Sequence, residues 1–325
     1  MPHELPPDLR AALARRAALL NSAGTDVLRV FHRAADGDPA LAIDRFGPAL
    51  VAHVYGARQL APGQARRLHL LAEHLRAEAV YVKYRPVQAS TLSAADRAAL
   101  APTEPIFGRQ LEELVVSENG LRFLIRPGAG LSVGLYLDMR ETRAWVRAHA
   151  AGRAVLNLFA YTCGFGVTAA AGGAARVVNV DAARGALAWG RANYALNGLP
   201  AAEQDFIFGD AFDWLKRLGR RGQTFELVIL DPPSFATTRT SRFSVSQDYA
   251  ALVALAAPLV TPGGWLLACA NAAELPERAF VKQLRVGLAR RPARLNLTHE
   301  PEPDFPVAPG QRPYLKIAAV RFPPA

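Results

Sequence analysis

The sequence predicts a doubly wound α/β fold, with a mostly parallel sheet of seven strands preceded by a smaller α+β domain. Two observations carry this expectation. From about residue 138 onward, short runs rich in Val, Ile and Leu alternate with stretches of helical periodicity, the pattern of a parallel sheet with helices on both faces. Before about residue 105, strand-like runs instead crowd around one helical stretch.

In the first domain, residues 1–105, expected to bind the RNA or substrate, VLRVFH (27–32), ALAIDRF (40–46), ALVAHVYG (49–56) and AVYVKY (79–84) read as strands, and PGQARRLHLLAEHL (62–75) reads as a helix. TLSAADRAALAPTEP (91–105), rich in Ala, Ser and Pro, reads as a connection. Residues 106–137 contain LEELVVSENGLRFLIRP, two strand-like runs around Asn119-Gly120. Both turn positions of a two-residue hairpin need positive φ, which Asn and Gly tolerate. The second domain, 138–325, brings the strand candidates AVLNLF, RVVNV, DFIFG, FELVIL and GGWLLACA, spaced by helical stretches such as RGALAWGRANYALN and DYAALVALAAPL. PERAFVKQLRVGLARR reads as a further helix, and ARLNLTH and YLKIAAVRF as closing strands. EPEPDFPVAPGQRP between those strands holds too many prolines for a helix.

Composition bounds the function classes. With 51% hydrophobic and 20% charged residues over 325 positions, the chain reads as globular rather than disordered or fibrous. No run approaches the ~18 apolar residues of a membrane span, and MPHELPPDLRAALARRAALL lacks the regions of a secretory signal, so a cytoplasmic protein without a membrane partner is expected. The two cysteines, Cys163 and Cys269, lie too far apart for a CxxC pair, and the seven histidines form no HExxH, so no metal is expected. The net charge of +10 favours a polyanionic partner, with nucleic acid the natural candidate. Only Lys83, Lys216, Lys282 and Lys316 are lysines. GC-rich coding explains arginine in place of lysine but not the excess over Asp and Glu.

In a doubly wound sheet ligands bind beyond the C-terminal strand ends, near the switch point. The first such end reads NLFAYTCGFGVTAA, where Gly164, Gly166 and Ala169 satisfy G-x-G-x-x-A and Asp181 closes the next strand. Glycines there let backbone approach a ligand, and the acid is placed to hold ribose hydroxyls. This pattern suits a nicotinamide dinucleotide as well as S-adenosylmethionine. The fourth end, FELVILDPPSF, adds Asp231, Pro232 and Pro233. Successive prolines remove two donors and leave rigid carbonyl acceptors beside a carboxylate, which suits holding the edge of a planar base in line with a sulfonium methyl. Phe235 is placed to stack on that base. In GDAFDWL, Asp210 could accept from an adenine amino group, with Ala211 and Phe212 beside it, or simply cap a helix.

Taken in order and spacing, LSVGLYLDMRETR, LNLFAYTCGFGV, VDAARGALAWGRANYALNGL, GDAFDWL and DPPSF resemble the bacterial large-subunit (23S) ribosomal RNA methyltransferases, from about residue 25 to the end. The resemblance implies a class I, Rossmann-like methyltransferase domain that uses S-adenosylmethionine, with ribosomal RNA as partner. It implies that Asn157, Phe159, Tyr161, Thr162, Gly164 and Gly166 line the methionine part of the cofactor. Asp181 takes the ribose, Asp210 the adenine, and Asp231 with Pro232 the methyl-transfer site. Asp138 and Arg140 match a stretch that covers the cofactor. The family has a cytosine carbon-5 branch and a guanine N7 branch. The cytosine branch begins with an extra RNA-binding module, for which the residues before 25 are too few. It also needs a cysteine beyond the fifth strand, since carbon-5 is not nucleophilic until a thiolate adds to carbon-6. Aligning GGWLLACANAAEL on its glycines puts Asn271 there, as in the guanine branch, which RFSVSQDYAALVALA also resembles. The resemblance therefore favours guanine N7, with Cys269 on the same strand face as Asn271 left open.

Arg278, Lys282 and Arg285 at helical spacing, and Arg239 with Arg242 after DPPSF, are candidate phosphate contacts. Two other classes stay in view. A dinucleotide oxidoreductase is favoured by G-x-G-x-x-A and Asp181 but not by DPPSF, and a non-catalytic RNA-binding protein could keep the fold.

Overall fold

The structure is a computed structural model that describes residues 4–86, 94–237, 242–297 and 302–324. It divides into two compact units. Unit 1 comprises Met1–Glu141 and Pro301–Gln311, and unit 2 comprises Thr142–Glu300 and Arg312–Ala325.

Unit 1 opens with helices α1 (Pro7–Arg15) and α2 (Ala17–Leu20). A five-stranded sheet follows, with β1 (Val27–His32), β2 (Leu41–Phe46), β3 (Ala49–Tyr55), β4 (Ala79–Arg85) and β5 (Phe107–Gly108) as neighbours in that order. β3 and β4 run parallel because α3 (Pro62–Leu75) carries the chain back between them, ending at Arg76 in the left-handed region. One sheet face supplies Leu28, Val30, Ile43, Leu50, Ala52, Val54, Val80 and Val82 to a core shared with Leu9 and Leu13 of α1 and Leu68 and Leu71 of α3. The alternate residues point the other way. The expected hairpin is present as β6 (Leu114–Glu118) and β7 (Leu121–Ile125), joined by Asn119 at φ 50° and Gly120 at φ 78°. The segment read as a plain connection holds a short alanine-rich helix, α4 (Ala94–Ala99), in keeping with the helix propensity of alanine.

The proline-rich stretch at 302–311 belongs to unit 1 rather than to the sheet domain around it. Its buried carboxylates explain why. Asp304 accepts from the Arg29 N–H at 2.9 Å and from Arg140 Nη1 at 3.3 Å, while Glu302 accepts from Arg140 Nη2 at 2.7 Å. Arg16, also fully buried, donates to Asp36 Oδ2 at 2.6 Å and to the Asp304 carbonyl at 3.0 Å.

Helix α5 (Arg140–His149) leads from one unit to the other. In unit 2 the chain continues through β8 (Ala154–Leu158), α6 (Gly164–Ala171), β9 (Arg176–Asp181), α7 (Arg184–Leu196), β10 (Phe206–Phe208), α8 (Ala211–Arg220) and β11 (Phe225–Leu230). A small hairpin of β12 (Phe235–Thr237) and β13 (Arg242–Ser244) then precedes α9 (Val245–Ala256), β14 (Val260–Asn271), α10 (Glu277–Gly287), β15 (Arg294–Leu297) and β16 (Leu315–Arg321). The seven-stranded sheet has the order β10-β9-β8-β11-β14-β16-β15. β10 through β14 are parallel, and β16 slots in antiparallel to both β14 and β15. This is the doubly wound sheet the sequence predicts, with its switch point between β8 and β11. Among the described residues no helix is long and apolar enough to cross a membrane.

Candidate active site

The site is built where β8, β9, β10, β11 and β14 end. After β8 the backbone turns through Phe159, Tyr161 and Cys163 at φ 59°, 48° and 59°. Three non-glycine residues in the left-handed region within five positions make a strained loop, such as functional sites tolerate. The turn aims the Tyr161 N–H at Asp181 Oδ2, 2.7 Å away, while Asp181 Oδ1 accepts from the Ala183 N–H at 2.8 Å. Burial pushes the Asp181 carboxyl up, and backbone N–H groups of Tyr161, Ala183 and Ala182 pull it back down. A carboxylate offers about four acceptor sites, so Asp181 keeps capacity for a ribose hydroxyl.

Behind this loop runs a buried polar chain. Asn157 Nδ2 donates to Asn179 Oδ1 at 2.9 Å, and Asn179 Nδ2 donates to the Tyr194 hydroxyl at 3.1 Å. Asn157 Oδ1 is buried and has no hydrogen-bond partner among the described residues. Such an orphaned acceptor suits a donor like the ammonium of a methionine moiety. Gly166 packs against this polar chain. A Cβ there would lie 2.2 Å from Asn179 Oδ1 and 2.7 Å from the Tyr194 hydroxyl, so the glycine makes room for the polar chain. Thr162 is buried, its carbonyl accepting from Asn193 Nδ2 at 2.9 Å, and Gly164 opens α6.

Asp210 caps α8, its Oδ1 accepting from the Phe212 N–H at 2.8 Å, and Ala211 is buried behind it. Asp231 is half-buried at the end of β11, with Pro232 buried and Pro233 exposed beyond it. The Ser234 hydroxyl donates to the carbonyl of Asn271, tying this turn to the end of β14. Asn271 is half-buried there, whereas Cys269 is fully enclosed and its carbonyl accepts from the Tyr249 hydroxyl at 2.8 Å. Cys163 is also fully enclosed, filling a notch at Gly190, where a Cβ would come within 2.4 Å of its Sγ. Burial, helped by Asp181, pushes the Cys163 thiol well up, away from a reactive thiolate.

The remaining expected residues lie on other elements. Asp138 and Arg140 belong to unit 1, where Asp138 is buried in the turn Leu137–Met139. The Arg140 guanidinium is enclosed by Glu302 and Asp304, buried carboxylates of its own unit. Phe235 lies in β12 and Arg242 in β13, but their side chains, like all of Arg239, fall outside the described residues. Arg278, Lys282 and Arg285 are exposed on α10. Sequence reasoning missed Asn179, Tyr194 and Ser234. A polar residue inside the apolar run RVVNV was the available signal for Asn179. Among the described residues no group of three or more His, Cys, Asp or Glu could hold a metal ion.

Comparison with known proteins identifies the family. A family model described as S-adenosylmethionine-dependent methyltransferase matches residues 61–308. A ribosomal RNA large subunit methyltransferase of Deinococcus radiodurans is 34% identical over 97% of this chain and 78% of its own length. Ribosomal RNA large subunit methyltransferase I of Aeromonas salmonicida is 31% identical over 84% of this chain and 68% of its own. Among solved structures, a protein described as a methyltransferase and complexed with SAH superposes with a TM-score of 0.85 at 28% identity, covering 97% of this chain and 80% of that one. The nicotinamide alternative is thereby set aside, and the chain belongs to the S-adenosylmethionine-dependent methyltransferase family.

Proposed function

We propose that the chain transfers the methyl group of S-adenosylmethionine to a base of large-subunit ribosomal RNA in the cytoplasm, and that the acceptor is guanine N7. The relatives named above support the substrate class, and so does the net charge of +10. The observation that carries the choice of base is the end of β14, where Asn271 is half-buried and the nearest cysteine, Cys269, is fully enclosed. Attack on cytosine carbon-6 needs a thiolate that can reach the ring. Guanine N7 has a lone pair and no proton to lose, so it needs neither thiolate nor general base.

Bound S-adenosylmethionine supplies an electrophilic methyl on a sulfonium. Asp181 binds the ribose, Asp210 and Ala211 border the adenine, and the loop of Phe159, Tyr161, Thr162 and Gly164 with Asn157 holds the methionine end. Asp231, with the carbonyls of Pro232 and Pro233, grips the edge of the base, and Ser234 keeps that turn in register with Asn271. Catalysis is then positioning, the base held in line with the sulfonium.

Asp181→Ala should weaken binding of S-adenosylhomocysteine by about 2 kcal/mol, roughly 30-fold, as expected for charge-assisted bonds to ribose. Calorimetry on the folded variant reads this, and unchanged affinity would refute the ribose assignment. The base is tested by nucleoside mass spectrometry of methylated, digested rRNA from wild type, Cys269→Ser and Cys163→Ser. All three should give 7-methylguanosine at similar rates. A 5-methylcytidine product that vanishes in Cys269→Ser would reverse the choice of base.

A further inference from the structure

The unit 1 sheet face turned away from the apolar core carries charge. Arg29, Asp44, His53, Lys83 and Arg85 follow one another across β1 to β4, with Arg29 opposite Asp44 and His53 opposite Lys83 in the strand register. Most of this row is internally satisfied. Arg29 grips Asp44 through two bonds of 2.7 and 2.9 Å. His53 Nδ1 receives the Arg85 Nε–H at 3.2 Å, so its Nε2 carries the proton and donates to Asp44 Oδ2 at 2.9 Å. His53 is therefore neutral, in line with burial lowering it to about 4.

The row ends in two cations on β4. Arg85 is half-buried and uses its Nη2 on the Leu131 carbonyl at 2.9 Å, with no carboxylate among the described residues in ion-pair contact. Lys83 is 0% exposed, and its Nζ has no hydrogen-bond partner among the described residues. Burial, with the charge of Arg85, lowers it to about 8. A buried ammonium with no anion is costly, and it is rare in a folded interior unless something else supplies the counter-charge.

We propose that Lys83 and Arg85 form a phosphate-binding site in which unit 1 holds a backbone phosphodiester of the RNA substrate. This rests on the RNA reading above and adds a place for the RNA outside the methyltransferase unit. Lys83 is the buried point charge at the floor, and Arg85 at the half-exposed rim supplies a planar fork that matches phosphate oxygens. Arg29 is spent on Asp44, so the excess charge of the row falls at these two residues.

The test is Lys83→Met, which keeps the volume and removes the charge. A residue kept only for the fold would lose stability on substitution, whereas this site predicts opposite signs for stability and binding. Hydrogen exchange of the β3 and β4 amides should slow in Lys83→Met at pH 7. Affinity for protein-free rRNA should fall roughly 10-fold, the slope of log affinity against log salt should flatten by about one, and affinity for S-adenosylhomocysteine should stay the same. Protonation of Lys83 disfavours the fold, because its folded value of about 8 lies below the ordinary 10.5. Wild-type protection should therefore rise from about pH 8 toward 10.5, and that rise should be absent in Lys83→Met. Arg85→Gln should show the same loss of RNA affinity and salt slope. If wild type binds RNA with salt dependence and neither variant changes it, this site is overturned while the RNA reading stands. If wild type binds RNA without salt dependence, yet inorganic phosphate at fixed ionic strength protects β4 in wild type and not in Lys83→Met, the site takes free phosphate and the RNA assignment falls.

Discussion

Arg140→Met should destabilise unit 1 by about 3–5 kcal/mol, the usual cost of leaving a buried charge without its partner. Arg140 is 1% exposed, and its guanidinium is shared between Glu302 and Asp304, both as deeply buried. Burial alone would lower its pKa, but Asp304 and Glu302 outweigh that and hold it above the ordinary value. Without it, Glu302 and Asp304 lose the guanidinium that they share, and the anchor of 302–311 to unit 1 is weakened to bonds such as those from the Arg29 N–H and Arg16 to Asp304. All four tryptophans lie in unit 2, so fluorescence would report the wrong unit. Hydrogen exchange of β1–β4 amides reads unit 1 directly. Protection unchanged in the variant, together with a loss of cofactor affinity, would place Arg140 in the cofactor site.

Asp231→Ala should reduce methyl transfer at saturating substrates by a factor of at least ~100, the scale of loss when a reacting group is misplaced by about 1 Å. Asp231 stands at the end of β11, next to the switch point, in a turn that Ser234 ties to Asn271. Prolines at the next two positions leave the chain no N–H there with which to substitute for the carboxylate. Because Asp181 and the 159–163 loop lie at other strand ends, S-adenosylhomocysteine should bind the variant within a few-fold of wild type. Rapid-quench measurement of transfer, paired with calorimetry, separates the two effects. Wild-type turnover in Asp231→Ala would remove the residue from the methyl-transfer site.

What the sequence made legible was local. The apolar runs that became β8 to β11, β14 and β16 follow from their own composition, and Asn119-Gly120 is a turn for reasons contained in two residues. The position of 302–311 was not legible, because it depends on long-range contacts such as the hydrogen bond from Arg16 to the Asp304 carbonyl, 288 residues apart. A proline-rich segment has no periodicity to announce such a role. Phe159, Tyr161 and Cys163 gave no sign of left-handed backbone, since none is the glycine or asparagine that usually marks it. Gly166 was visible as a glycine, but not the close approach of Asn179 and Tyr194 from neighbouring elements. Lys83 was counted only as one of four lysines. Its enclosure emerges from strand pairing with His53 and from the cover over that sheet face.

The central claim is methyl transfer to an RNA base, and it is tested most directly by incubating the protein with methyl-labelled S-adenosylmethionine and protein-free large-subunit rRNA. The account predicts label in the RNA that survives digestion to nucleosides on a modified base, is absent with Asp231→Ala, and falls steeply as salt is raised. Label that fails to enter RNA with wild type while S-adenosylhomocysteine still binds, or label that enters a free nucleoside equally well, would contradict it.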